Sequence, residues 1–363
     1  MLIHLMERKY VFAEKGEEKM NVEKIVLNEE RNVTLVAYTQ PVEGEFGHIN
    51  KRPAVLILPG GGYQMCSDRE ADPVAFPYLE AGYQAFILRY SVGADSVWPN
   101  PLDDYEQAMA LIAERAEEWK VLTDKIVVIG FSAGGHLAGC AATMSEHRPY
   151  AAILGYPVIE GDCAKVYQKT APDVIAAVDE NTCPCFVFAT RNDNVVPVKN
   201  SIRLIDALEQ KGILFESHIY SHGAHGYSVC NTSVHAEPEE FCNRVPHWVG
   251  DSIEWLKDIM GDFGNGQMRK PRFSRFINGN KEDVLNVDCT MAYLYSKPEV
   301  MKVLEPILSR GSSANVERGN NLDEGAIMQA LQLMTFRQMS SMISLPKELV
   351  DQIDAQLRQI PNK

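Results

Sequence analysis

A serine between glycines is the residue whose surroundings most clearly allow chemistry. Ser132 lies in the pentapeptide GFSAG (residues 130–134), which matches the pattern G-x-S-x-G. The apolar run 126–129 predicts a buried strand before it, and the small residues 135–142 predict a helix after it. A connection this sharp between a strand and a helix strains the backbone of the serine. It leaves room only for glycine at the positions two residues before and two residues after it. We predict a nucleophilic serine; the alternative is a chance match.

A serine nucleophile needs a base to take its proton and an acid to orient that base. In the strand–turn–helix type of site the acid follows the serine in the chain, after a later strand. Asp193 is the only carboxylate between the predicted strand 185–189 and the predicted helix 198–211. It is therefore the predicted acid, and a turn aspartate or a helix N-cap is the alternative.

Histidine is the expected base, and it should follow the last strand of the sheet. The last predicted strand, residues 215–220, leads into a loop with His222 and His225. His225 is the favoured base because it lies further from the strand end and beside a glycine, and His222 is its competitor. Of four further histidines, His136 and His218 have ordinary packing or surface roles as their first expectation, and His235 and His247 are reserve candidates.

A second glycine-rich segment follows the apolar run 54–58, where the chain continues as PGGGY (residues 59–63). Glycines at a strand end let backbone N–H groups point into a site. A phosphate-binding loop is the alternative, but neither G-x-G-x-x-G nor G-K-[ST] is present. The oxyanion of an acyl-transfer transition state needs such donors. We expect one from Ala133, next to the serine, and the others from residues 60–62.

Composition excludes several classes of protein. The chain has 363 residues, 45% hydrophobic and 23% charged, which suits one large core and a smaller unit. A net charge of −14 argues against nucleic acid or an anionic membrane as partner. With no long apolar segment and no signal-peptide pattern, we expect a cytoplasmic protein. Eight cysteines without C-x-x-C, and no H-E-x-x-H, predict reduced thiols and no metal.

The order of apolar runs predicts the architecture. Strands alternate with helices over residues 20–262, which predicts a mostly parallel sheet with helices on both faces and an antiparallel pair at its edge. The polar, glycine-rich stretch 261–271 predicts a linker. Residues 272–363 are predicted to form a small all-α module. Its helices are expected at 288–294, 298–308, 323–333, 335–342 and 347–360.

Four segments together resemble the α/β-hydrolase esterases related to hormone-sensitive lipase. They are PGGGY at 59–63, GFSAGGHLA at 130–138, DNVVP at 193–197 and GAHG at 223–226. The similarity is strongest to the bacterial acetyl-esterase and acetyl-xylan-esterase-like branch and covers roughly residues 20–260. The family motif H-G-G-G is PGGG here, so Pro59 replaces the histidine. That change leaves the backbone donors intact but alters what braces the loop.

The resemblance implies an α/β-hydrolase fold and a serine esterase for short acyl esters, often acetyl groups on sugars, that needs no cofactor. It implies a catalytic triad and an oxyanion hole made of Ser132, Asp193 and His225, and of Gly61, Gly62 and Ala133. The expected partner is a small ester or an acetylated oligosaccharide. An acyl transferase or peptidase with the same triad, and a silent hydrolase-fold binding protein, are the alternatives. The helical module could cover the rim of the site or mediate a homo-oligomer.

Overall fold

The structure is a computed structural model of the chain. It describes residues 19–236, 240–272, 279–304 and 334–362. Two compact units divide the chain, Met1–Arg272 and Phe273–Lys363. The predicted helix 323–333, and the end of the one predicted at 298–308, lie outside the described residues.

One sheet of eight strands organises the first unit. In chain order the strands are β1 (Asn21–Asn28), β2 (Val33–Thr39), β3 (Arg52–Leu58), β4 (Gln84–Arg89), β5 (Val121–Phe131), β6 (Ala151–Gly155), β7 (Cys185–Thr190) and β8 (Phe215–Tyr220). Across the sheet they run β1-β2-β4-β3-β5-β6-β7-β8. The pairs β1–β2 and β2–β4 are antiparallel, and all other neighbours are parallel. The predicted antiparallel edge is therefore β1 with β2.

Helices cover both faces of this sheet, because the central strands are apolar on both sides. In chain order the helices of the described first unit are α1 (Asp72–Glu80), α2 (Asn100–Glu114), α3 (Ser132–Met144), α4 (Gly161–Tyr167), α5 (Val174–Ala177), α6 (Lys199–Gln210) and α7 (Trp248–Met260). Alternate β3 residues enter opposite cores, as the two-residue period of a strand requires. Leu56 belongs to the core that includes residues of α2, α3 and α6, and Ile57 belongs to the core that includes residues of α1 and α7.

Two features of this unit differ from the sequence expectation. The amphipathic pattern of residues 102–120 predicts a helix over that whole range, but α2 ends at Glu114. The chain turns there, and the N–H of Val121 bonds to the carbonyl oxygen of Ala116, so that Trp119 is buried and β5 can begin. The short helices α4 and α5 were not predicted, because four to seven residues are too few to show a helical period.

The second unit has its own small apolar core. Its described helices include α8 (Met291–Tyr295), α9 (Phe336–Met342) and α10 (Lys347–Leu357), and residues 298–304 are also helical. The pattern predicted a helix from residue 288, but α8 begins after Thr290, whose side chain caps the N–H of Tyr293. Twelve buried side chains form the core, among them Leu294, Phe336 and Leu357.

Within the described residues, no helix is long and apolar enough to cross a membrane. The same part of the chain contains no cluster of three or more His, Cys, Asp or Glu side chains that could hold a metal ion. All eight cysteines are free thiols.

Candidate active site

The turn between β5 and α3 presents Ser132. Its backbone has φ 51°, in the left-handed region that costs a non-glycine residue free energy. A methyl group built on Gly130 would lie 2.2 Å from the carbonyl oxygen of Gly134, and one built on Gly134 would lie 2.1 Å from that of Leu58. Backbone therefore fills the space on both sides of the serine. This close packing is the reason why both flanking positions are glycine.

The structure brings the three predicted triad side chains together. His225 Nε2 lies 2.9 Å from Ser132 Oγ, and His225 Nδ1 lies 2.7 Å from Asp193 Oδ2. The Asp193 side chain is fully buried, and the His225 side chain is 13% exposed. Since a carboxylate only accepts hydrogen bonds, Nδ1–H donates to Asp193 and Nε2 is left to accept from the serine hydroxyl. The arrangement can move a proton from Ser132 to His225.

Asp193 fills two roles at once. Its Oδ1 accepts hydrogen bonds from the N–H groups of Val195 at 2.9 Å and Val196 at 2.8 Å, so it forms a turn around its own backbone. Its other oxygen faces His225. The N-cap alternative is wrong, because the residue before α6 is Val198. The turn fixes the carboxylate, and so fixes the histidine that it orients.

The other histidines lie elsewhere. His222 is exposed and its Nδ1 pairs with Ser221 Oγ at 3.0 Å. His136 is buried in α3, where Nε2 pairs with the carbonyl oxygen of Pro172 at 2.9 Å and Nδ1 with the Tyr63 hydroxyl at 2.7 Å. Burial lowers the pKa of His136 to about 4, so it is neutral at pH 7. The three remaining candidate histidines take packing or surface positions: His218 stacks on Phe186, His235 packs on Phe241 and His247 is exposed.

In the glycine loop after β3, hydrogen bonds to the carbonyl groups fix the orientation of the peptide planes. The Gly60 oxygen accepts from the N–H of Ser67 at 2.8 Å, and the Gly61 oxygen accepts from the N–H of Gln64 at 3.0 Å. In a trans peptide the N–H points opposite to the carbonyl. The N–H groups of Gly61 and Gly62 are therefore turned away from these partners. In the described residues neither donates to another backbone group.

The third predicted donor follows the same rule. The carbonyl oxygen of Ser132 accepts from the N–H of Val158 at 3.1 Å, which turns the N–H of Ala133 the other way. The loop also touches the nucleophile, since a methyl group built on Gly60 would lie 3.0 Å from Ser132 Cβ. The predicted oxyanion donors thus belong to two segments that pack directly against each other at the serine.

Two residues beside the triad carried no sequence signal. Glu70, just before α1, is buried at 3% exposure, and Tyr156, just after β6, is buried at 1%. The Tyr156 ring meets the His225 ring edge to face with centroids 4.9 Å apart. Glu70 accepts a hydrogen bond from the Tyr156 hydroxyl. Only the long-range fold could show either residue, because neither belongs to a sequence motif.

The sheet and the site together define the class of the protein. A mostly parallel sheet, a strained serine between β5 and α3, an acid after β7 and a histidine after β8 are the parts of an α/β-hydrolase. A solved structure supports this: MGS-M1, an α/β hydrolase enzyme from a Medee basin deep-sea metagenome library, is 42% identical, with a TM-score of 0.61 over 66% of this chain and 97% of that one. The predicted fold class is confirmed.

Comparison with known sequences narrows the class. Residues 47–176 match the BD-FAE family, and residues 162–245 match the prolyl oligopeptidase family. The chain belongs to the α/β hydrolases, and its segment 47–176 is similar to the BD-FAE family.

Two curated relatives give the similarity in more detail. An acetylxylan esterase of Xylanibacter ruminicola is 31% identical over 260 residues, covering 65% of this chain and 48% of that protein. Endo-1,4-beta-xylanase B of Butyrivibrio fibrisolvens is 32% identical over 211 residues, covering 50% of this chain and 33% of that protein. The chain thus spans a third to about half of the length of these curated relatives.

Proposed function

We propose that the chain is a serine esterase that hydrolyses short acyl esters, mainly acetyl esters, through an acyl-enzyme on Ser132. The observation that carries this proposal is the continuous hydrogen-bonded line from Asp193 through His225 to Ser132 at the strained turn. This line supplies the base and its orienting acid that a serine nucleophile needs.

The first half of the proposed reaction forms the acyl-enzyme. Ser132 Oγ attacks the ester carbonyl carbon while its proton passes to His225 Nε2. Asp193 stabilises the imidazolium that forms. The carbonyl oxygen becomes an oxyanion and accepts from the N–H groups of Gly61, Gly62 and Ala133. The C–O bond to the alcohol then breaks, and the proton on His225 passes to the leaving alkoxide.

The second half regenerates the enzyme. A water molecule gives a proton to His225 Nε2 as its oxygen attacks the acyl carbon. The same N–H groups stabilise the second oxyanion. The bond to Ser132 Oγ breaks, the histidine returns its proton to that oxygen, and the carboxylic acid leaves. No cofactor enters this sequence, since each proton moves between the substrate, water and the triad.

The preference for short acyl groups rests on what surrounds the oxyanion loop. The ring of Tyr167, at the end of α4, closes the space beside Gly62, where an added methyl group would lie 3.4 Å from its Cδ1. Its hydroxyl donates to the carbonyl oxygen of Val195, which holds the ring in place. A long acyl chain needs an apolar channel to bury it. The ring of Tyr167 at this position therefore supports the proposed preference for acetyl groups.

Acetylated carbohydrate is the proposed natural substrate class. The support is the curated relative described as an acetylxylan esterase. A closer kinship to the hormone-sensitive lipase branch stays a prediction, as does the cytoplasmic location. The part of the proposal that concerns sugars depends on similarity, whereas the acyl-transfer chemistry depends on the geometry at Ser132.

A substrate panel tests this proposal. We expect p-nitrophenyl acetate and acetylated xylo-oligosaccharides to be hydrolysed, and esters with acyl chains of about eight or more carbons to be poor substrates. Ser132→Ala should fold normally and lose at least about 10³-fold in kcat. A fluorophosphonate should label the wild type and not this variant. Turnover by Ser132→Ala at the wild-type rate would remove Ser132 from the mechanism.

A peptidase is the second candidate, because the stretch that contains Asp193 and His225 matches the prolyl oligopeptidase family. The triad would cleave an amide as it cleaves an ester. Adding proline-containing peptide p-nitroanilides to the panel separates the two. Hydrolysis of these amides with a kcat/KM above that for acetyl esters would favour the peptidase.

A further inference from the structure

A buried carboxylate lies behind the oxyanion loop and takes no part in the proton transfers. Glu70 is 3% exposed, and burial raises the pKa of its carboxyl group. In the part of the chain that the structure describes, its two hydrogen-bond donors are a backbone N–H and a phenol, neither of them a cation. A carboxyl group buried without an ion-pair partner costs folding free energy. Its two bonds indicate what it does.

The first bond holds the oxyanion loop. Glu70 Oε2 accepts the N–H of Gly60 at 2.7 Å, while the Gly60 carbonyl bonds to Ser67 on its other side. Both peptide groups of Gly60 are thus fixed, and the second of them carries the N–H of Gly61. A methyl group built on Gly60 would meet Glu70 Oε2 at 2.7 Å and the Phe131 carbonyl oxygen at 2.8 Å. The carboxylate therefore clamps the loop against the serine turn.

The second bond reaches the histidine loop. The Tyr156 hydroxyl donates to Glu70 Oε1 at 2.5 Å and accepts the N–H of Ser228 at 3.0 Å. Ser228 stands three residues after His225, and the Tyr156 ring packs against the His225 ring. One carboxylate thus joins the segment of the oxyanion donors to the segment of the base. In this chain, with Pro59 where the resembling family has histidine, Glu70 supplies a brace for the loop.

We propose that Glu70 is a positioning residue that aligns the oxyanion loop and, through Tyr156, the loop of His225. This inference rests on the proposed acyl-transfer function of the same site. Misplaced N–H donors weaken the binding of the oxyanion, which exists only along the reaction and not in the bound substrate. The loss of Glu70 therefore falls on kcat and leaves KM nearly unchanged.

Three substitutions separate the two bonds. Glu70→Gln keeps an oxygen for the Gly60 N–H but presents an amide N–H₂ to the Tyr156 hydroxyl, which then loses its acceptor. Tyr156→Phe removes the second bond alone. Glu70→Ala removes both. Asp68→Asn is the matched control, because Asp68 lies two residues away, is 87% exposed and pairs with Arg89.

The experiment measures kcat and KM on p-nitrophenyl acetate and the rate of fluorophosphonate labelling, with folding monitored by circular dichroism and Tm. We expect kcat and labelling rate to fall about 10–100-fold in Glu70→Gln and Tyr156→Phe, with KM within about threefold. Glu70→Ala should lose more, and Asp68→Asn should match the wild type. If Glu70→Ala does not fold, the other two variants still decide the question.

A folded Glu70→Gln and a folded Tyr156→Phe that both keep the wild-type kcat and labelling rate would overturn the role of Glu70 and leave the esterase proposal intact. A loss confined to KM would overturn it as well. The reverse failure is also recognisable. If the wild type reacts with the fluorophosphonate but hydrolyses no ester of the panel, the esterase proposal fails. The labelling rates of the variants then still test the positioning role of Glu70.

Discussion

The two units of the chain differ in where their backbone is strained. Around the site of the first unit, four non-glycine residues have positive φ: Tyr63 at 59°, Ser132 at 51°, Tyr156 at 35° and Ser228 at 48°. In the described part of the second unit, Ser344 at 54° is the only one. Such residues cost about 1–3 kcal/mol each, and they persist where the surrounding structure leaves no alternative.

The comparison teaches where each unit gains its stability. The second unit uses ordinary local devices, such as the capping box of Thr335 and Gln338 at α9. The first unit has two large cores around its sheet, which can hold strained turns in place. Strain that recurs at the carboxyl ends of neighbouring strands is a mark of a functional site. Substitutions in the two units test this contrast.

The largest effect should come from the base. His225→Ala removes the proton acceptor of Ser132, so kcat on a small acetyl ester should fall at least about 10³-fold with little change in Tm. The matched control is His222→Ala, in the same loop but exposed and bonded to Ser221, which should stay within about twofold. The opposite order of the two variants would transfer the role to His222.

Glycine substitutions should show how tightly the strained region is packed. Gly134→Ala drives a methyl group to 2.1 Å from the Leu58 oxygen, so the free energy of unfolding should fall by about 1–3 kcal/mol or more. Gly250, in α7, has no atom within 4 Å of the added methyl group. Gly250→Ala should stabilise the helix by about 0.5–1 kcal/mol. Urea unfolding curves measure both, and equal effects would contradict the packing argument.

Acid should destabilise the first unit through His136. Burial lowers its folded-state pKa from 6.5 to about 4, so between these values only the unfolded chain binds the proton. The stabilisation is complete above about pH 6.5 and is lost as the pH falls toward 4, by about 3 kcal/mol in all. Urea unfolding at pH 7 and 4.5 measures the loss. His136→Gln should reduce it by about 2–3 kcal/mol, and an unchanged loss would show that His136 is not its source.

The smallest effect on catalysis should come from the core of the second unit. Leu357 is fully buried there, so Leu357→Ala should destabilise this unit by about 2–5 kcal/mol. Both kcat and KM for p-nitrophenyl acetate should stay within about twofold. The control is Met342→Ala, at a side chain that is 67% exposed. A large loss of activity in Leu357→Ala would mean that the second unit contributes to the site.

Local sequence was enough where local sterics decide the structure. The run 126–129 with GFSAG predicted the turn at Ser132, because only glycine tolerates the backbone that packs on both sides. Element ends were less certain. The period of α2 continues to residue 120, but the burial of Trp119 and the start of β5 end the helix at Glu114. The end of the helix thus depends on packing with other parts of the chain, which a helical sequence pattern does not show.

Local sequence patterns were enough to predict the order of the strands along the chain, the turn at the nucleophile and a short list of candidate acids and histidines. These follow from side-chain periodicity and from glycine positions, which act over a few residues. The folded structure was needed to show that His225 rather than His222 meets Asp193, and that Glu70 and Tyr156 lie behind the oxyanion loop. The contact of His225 with Asp193 joins residues 32 positions apart, and that of Tyr156 with Glu70 joins residues 86 positions apart, so their geometry depends on how the whole sheet is assembled.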